Sequence, residues 1–137
     1  MSFAVSWVYV LAATVASIAI GMLWYSPLMF AKPWLAAMGL KKTDIGDAGV
    51  SPTPGYLAST VCTIGQAYGL GLLVRNLPVS GIGGALAVAT AVWLVTSGLA
   101  NLRLKYFEDR PWKLYLIDEG ATLLGYLVMA VLTTLWL

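Results

Sequence analysis

The chain contains no histidine and a single cysteine, Cys62. The first absence removes the commonest metal ligand and the side chain that most often moves protons near neutral pH. The second excludes an intrachain disulfide, and because Cys62 falls in an apolar run it is silent on redox compartment. Charge is scarce too. Charged residues make up 10% of the 137 positions, against about 25% in an ordinary soluble domain. That is too few for the wet surface of a globular core. There is no P-loop, no G-x-S-x-G elbow, no Cys/His metal constellation and no GxGxxG after a strand. No catalytic residue, cofactor or metal ligand is therefore assigned, and the chain does not read as an enzyme. The net charge of +2 is small, and its basic residues flank apolar runs, which gives no nucleic-acid footprint.

What the chain has is hydrophobic length. Four apolar segments cover about residues 3–25, 56–74, 79–102 and 114–137. A helix needs about 20 apolar residues to cross a bilayer, and lipid offers no partner for unpaired backbone groups. The segments do not alternate apolar and polar as barrel strands would. The expected fold is all-α: one integral membrane domain over residues 1–137, a four-helix transmembrane bundle. The first segment has no Lys or Arg before it and exceeds the length of a signal-peptide core, so it is expected to be retained.

Orientation follows from the basic residues. Lys32, Lys41 and Lys42 lie in loop 26–55, and Arg103, Lys105, Arg110 and Lys113 in loop 103–113. Only Arg75 lies in the middle connection. Cytoplasmic loops collect Lys and Arg, so both long loops are expected in the cytoplasm and both termini outside, in a cell (inner) membrane. Trp24, Tyr25, Trp34, Tyr106, Trp112 and Tyr115 cluster at the cytoplasmic boundary, and Trp7, Tyr9 and Trp136 at the outer one. The connection from Arg75 to Ser80 is short enough to make the second and third helices antiparallel neighbours.

In the first loop, Ser26 and Pro27 read as an N-cap and first helical position, starting a short interfacial helix broken near Pro33 and ended by Gly39. Lys41 to Gly55 is polar and rich in Gly and Pro, and is expected to be the most mobile part of the chain. Phe30 with Lys32-Pro33-Trp34 is echoed by Phe107 with Arg110-Pro111-Trp112, which suits either two related hairpins or two similar interfacial needs.

Helices in lipid associate by close backbone approach and polar contacts. Ala13, Ser17 and Gly21 supply small residues on the first span, Gly65 and Gly69 on the second, Gly83, Ala87 and Ala91 on the third, and Ala121 and Gly125 on the fourth. Gly65 and Gly69 serve either contacts within the chain or a homodimer face.

Ionisable residues within a span are costly and often functional. Asp118 and Glu119 lie in the first turns of the last span and point about 100° apart, so they are not expected to share a partner. Asp118 either pairs with Arg103, Lys105 or Arg110 to pin the loop, or forms a proton or cation site. Gln66, Ser97 and Asn101 either make interhelical hydrogen bonds or line a polar path leading to Asp118.

The stretch from Gly21 to Trp34, GMLWYSPLMFAKPW, resembles the family known as domain of unknown function 1761, small membrane proteins with four expected spans found in bacteria and fungi. A second element of that family is similar to Tyr106-Phe107-Glu108-Asp109-Arg110-Pro111 and Ile117-Asp118-Glu119-Gly120. The resemblance implies no activity. It singles out Trp24, Tyr25, Pro27, Lys32, Trp34, Arg110, Pro111 and Asp118, all at the cytoplasmic boundary, and does not single out Glu119. The leading reading is a non-enzymatic accessory or scaffolding protein that binds a partner or membrane lipid at its cytoplasmic face. The alternative is a small proton- or cation-coupled transporter using Asp118.

Overall fold

The computed structural model describes residues 2–39 and 53–137. These residues form six α-helices and one π turn, with no strand among them. In chain order the helices are α1 (Trp7–Trp24), α2 (Ala31–Met38), α3 (Thr53–Asn76), α4 (Gly81–Trp93), α5 (Leu99–Phe107) and α6 (Trp112–Trp136). The π turn, Leu94–Gly98, joins α4 to α5 in one continuous rod. Four rods are thus long and apolar enough to cross a membrane: α1, α3, α4–α5 and α6. The fold is a four-helix bundle of a multi-pass membrane protein.

Which residues face outward agrees with that reading. Val8, Leu11, Val15 and Met22 on α1, Leu57 and Val61 on α3, Val95 and Leu99 around the π turn, and Leu116 on α6 are all exposed. A water-soluble bundle turns its polar face outward instead.

Local chemistry sets the helix ends. Ser6 caps α1, its Oγ accepting the Tyr9 N–H at 3.5 Å. Pro54 sits in the first turn of α3, where its missing N–H costs nothing. Gly39 ends α2 in the left-handed conformation, φ 70°, with its N–H on the Ala36 carbonyl. The start of α2 differs from expectation. Ser26 does not cap a helix. Residues 26–30 form a tight turn in which the Ser26 carbonyl accepts from the N–H groups of Met29 and Ala31. Pro33 does not break the helix either, because it lies in the first turn, where no intrahelical donor is required. The expectation for Lys41 to Gly55 falls mostly on residues 40–52, outside the described residues, while Thr53 to Gly55 belong to α3.

Helix α6 is the axis of the bundle, packed along α1 on one side and α4 on the other. The densest core lies in the half away from the basic loops. Tyr9, Val10 and Ala13 of α1 meet Ala67 and Leu70 of α3, Ala85 and Ala89 of α4, and Met129 and Ala130 of α6. The Tyr9 hydroxyl donates to the Ala67 carbonyl at 2.9 Å. The glycine that permits this approach is Gly71. A Cβ there would come 2.8 Å from Tyr9 Cε1 and 3.0 Å from Val5 Cγ1. A Cβ at Gly65 or Gly69 would meet nothing within 4 Å, so they make no close helix contact among the described residues. On α4, Gly83, Ala87 and Ala91 likewise face outward, and Ala85, Val88 and Ala89 form the buried side. Polar clamps close this end: Asn76 exchanges two hydrogen bonds of 2.7 Å with the Ser2 backbone, and Arg75 donates to the Leu137 carbonyl.

Toward the other end α3 loosens. Residues 53–59 are all exposed, and an open cleft of about 320 Å³ separates α3 from α1 and α6.

Candidate functional site

Asp118 and Glu119 are the seventh and eighth residues of α6. At 1.5 Å per residue they lie about 10 Å along the helix from its start. Adjacent helical residues diverge by about 100°, and each carboxylate is taken by a different flank of the bundle.

Asp118 serves the α1–α2 flank. Its Oδ1 accepts the Tyr25 hydroxyl at 2.6 Å and the Trp34 indole N–H at 3.1 Å. The two rings meet edge to face, 5.7 Å apart. Trp24, the residue before Tyr25, donates its indole N–H to the carbonyl of Ile117, the residue before Asp118, at 2.9 Å. Its ring lies against Phe30 and over Gly120, where a Cβ would come within 3.0 Å. Gly120 is therefore the small residue that lets the end of α1 lie against α6. Partial burial of Tyr25, followed by its hydrogen bond to Asp118 and that residue's negative charge, push its phenol above the ordinary range. Tyr25 thus remains a hydrogen-bond donor throughout the neutral range.

Glu119 serves the α4–α5 flank and is the buried member of the pair, 5% exposed. Oε2 accepts the Ser97 hydroxyl at 2.7 Å, and Oε1 accepts from Asn101 Nδ2 at 2.6 Å. Asn101 also donates to Ser97 Oγ at 3.2 Å. The π turn is part of this arrangement. Ser97 lies inside it, the Trp93 ring folds over Gly98, and the Tyr115 hydroxyl donates to the Gly98 carbonyl at 2.8 Å. Such turns are rare and often mark functional sites.

The two carboxylates share a cavity of about 210 Å³ despite their divergence, with Tyr25, Tyr115, Thr122 and Asn101 on its walls. Lys105 and Arg110 also line it, but neither pairs with an acid inside. Arg110 is bound to Glu108, and Lys105 Nζ lies 4.5 Å from the ring centroids of both Tyr106 and Trp112. Among the described residues neither Asp118 nor Glu119 has an ion-pair partner. The expected pairing of Asp118 with Arg103, Lys105 or Arg110 is therefore not formed; aromatic donors from the first loop take its place.

Trp24, Tyr25, Pro27, Lys32, Trp34 and Asp118 are brought together at this end. Pro27 and Lys32 line an adjacent groove. Arg110 reaches the cavity, whereas Pro111 caps α6 from an exposed position. Ser97 and Asn101 meet at Glu119 rather than at Asp118. Gln66 lies apart from them, in the open cleft beside Ser17, Ser59 and Thr63. That cleft and the cavity adjoin, since Tyr25 and Thr122 line both. The Ser17 hydroxyl oxygen is buried in it without a hydrogen-bond partner among the described residues. The two echoed motifs differ in their roles. Trp34 binds Asp118 and Phe30 packs on Trp24, whereas Trp112 packs against Tyr106 and Tyr115 and Phe107 is exposed.

Sequence reasoning ranked Glu119 below Asp118 and missed Tyr115 and Thr122 as wall residues. The signal for Glu119 was available: Ser97 and Asn101 stand four residues apart, on one helical face, ready to receive one carboxylate.

The sequence pattern of the family described as protein of unknown function (DUF1761) matches residues 8–134. The chain belongs to that family. No curated protein and no solved structure shows significant similarity to it. Both stretches that carried the resemblance, around Trp24 and around Asp118, meet face to face in the fold through the Trp24–Ile117 and Tyr25–Asp118 hydrogen bonds.

Proposed function

We propose that this family member is a non-enzymatic accessory protein of a cell membrane that binds a cationic group, from a small molecule or a partner protein, in the cavity beneath Asp118 and Glu119. One observation carries the reading. Glu119 is 5% exposed on a helix apolar enough to span a membrane, holds two neutral donors, and forms no ion pair among the described residues, Lys105 and Arg110 on the cavity wall being engaged elsewhere. A buried carboxylate in such a place is costly unless a positive charge or a proton joins it. Neutral donors orient the oxygens without cancelling their charge, which suits a site that receives a cation. The basic residues at this end support an orientation with the site facing the cytoplasm of an inner membrane and both termini outside.

Transport of a proton or small cation is the second reading. The continuity of the cavity with the cleft around Gln66 favours it, because that cleft extends the polar surface toward the middle of α3. Titrating the detergent-solubilised protein with methylguanidinium tests the first reading: saturable binding is expected for the wild type and loss of binding for Glu119→Gln. Equal binding by that variant overturns it. Flux of protons or sodium into liposomes carrying the protein, abolished by the same substitution, would establish transport in place of an accessory role.

A further inference from the structure

A second concavity, about 600 Å³, lies on the outer side of the Asp118 clamp, between α2 and α6. Its walls are Pro27, Ala31, Leu35 and the rings of Tyr25 and Trp34. Two groups of opposite charge also line it, Lys32 and Asp118. They do not pair with each other. Lys32 is exposed and has no hydrogen bond or ion pair among the described residues. Both hydrogen bonds to the Asp118 carboxylate end on Oδ1, which leaves Oδ2 without a donor among the described residues.

A pocket of this size is within the usual range for an organic ligand. Its content must satisfy an ammonium and a carboxylate held apart, while presenting hydrocarbon to Ala31, Leu35 and Pro27. We propose that the groove binds a zwitterionic phospholipid with a primary ammonium headgroup: phosphate on Lys32, ammonium on Asp118 Oδ2, and the upper acyl chain along the apolar wall. An anionic lipid would satisfy Lys32 but bring negative charge to Asp118. A quaternary ammonium carries the right charge but has no N–H to give the carboxylate. The Tyr25 and Trp34 polar hydrogens are already spent on Oδ1, so the headgroup must bring its own donor to Oδ2.

The test uses the full chain in mixed micelles containing equal amounts of phosphatidylethanolamine, phosphatidylcholine and phosphatidylglycerol with identical acyl chains. After a delipidating wash, retained lipid is measured by mass spectrometry. The expected result is one phosphatidylethanolamine per chain, enriched about tenfold over the other two, as a charge-assisted hydrogen bond implies. Asp118→Asn should remove the enrichment, and Lys32→Gln, which loses the phosphate contact common to all three lipids, should lower the amount of lipid retained. Lys32→Gln is the decisive variant, since Lys32 makes no hydrogen bond or ion pair among the described residues and its loss leaves the Asp118 clamp intact. Equal retention of the three lipids, preference for phosphatidylglycerol, no retained lipid, or wild-type retention by Lys32→Gln each overturns the proposal. Glu119→Gln should keep the lipid, so failure of the cation site and failure of this groove give different results.

Discussion

Replacing Glu119 by Leu asks whether the buried carboxylate exists for stability. The substitution removes hydrogen bonds of 2.7 Å from Ser97 and 2.6 Å from Asn101. Interhelical hydrogen bonds within a membrane contribute on average about 0.6 kcal/mol and up to about 1.7. Losing two should therefore cost about 1 to 3 kcal/mol. Asn101 would keep only its 3.2 Å bond to Ser97 Oγ, so part of that loss is the penalty for a stranded amide. The triple change Glu119→Leu, Ser97→Ala and Asn101→Leu strands nothing and also removes the desolvation penalty of the carboxylate. Replacing a complete buried polar set by apolar residues is often neutral or stabilising by about 1 to 4 kcal/mol. The triple variant should thus regain or exceed wild-type stability while losing cation binding. Reversible unfolding by SDS titration from mixed micelles, followed by circular dichroism, measures both variants. A triple variant as unstable as the single one would refute the reasoning and make the cluster a structural brace.

Other consequences are simpler to score. Gly71→Ala forces a Cβ against the fully buried Tyr9 ring and should cost about 1 to 3 kcal/mol in the same unfolding assay, whereas Gly65→Ala should be nearly neutral. Gly120→Ala presses on Trp24 and should shift tryptophan fluorescence, with an unfolding cost of about 1 kcal/mol or more. Tyr25→Phe and Trp34→Phe each remove one hydrogen bond to the same Asp118 oxygen, so a double-mutant cycle should give a coupling energy of about 0.5 kcal/mol or more. A Lys113→Cys variant, in cells also lacking Cys62, should be labelled by a membrane-impermeant thiol reagent only after the membrane is opened.

Much of the architecture was legible from the chain alone. Length and apolarity located all four spans, because a bilayer admits few alternatives. The site was legible only in part. Asp118 was picked out as a costly intramembrane charge, but its partners were sought among Arg103, Lys105 and Arg110, its near neighbours in sequence. The true partners, Tyr25 and Trp34, lie 93 and 84 residues away; Tyr25 arrives because α1 packs along α6, and Trp34 because α2 turns back over it. Trp24 and Tyr25 looked like interfacial anchors, and their polar hydrogens proved to be committed to α6. The GxxxG at Gly65 and Gly69 carried a familiar packing signature, yet the close approach occurs at Gly71, where the size of Tyr9 demands it. No residue pattern in Leu94–Gly98 announces a π turn; the contacts that accompany it are tertiary, the Trp93 ring over Gly98 and the Tyr115 hydroxyl on its carbonyl.

The central claim is that Glu119 receives a positive charge. Its most direct test is the carbon-13 resonance of the Glu119 side-chain carboxyl, followed in lipid nanodiscs as methylguanidinium is added. Glu108, the only other glutamate, is exposed and serves as the internal control. The account predicts a saturable shift of the Glu119 signal while that of Glu108 stays fixed. A Glu119 resonance that does not move, or that moves only in step with Glu108, would contradict it.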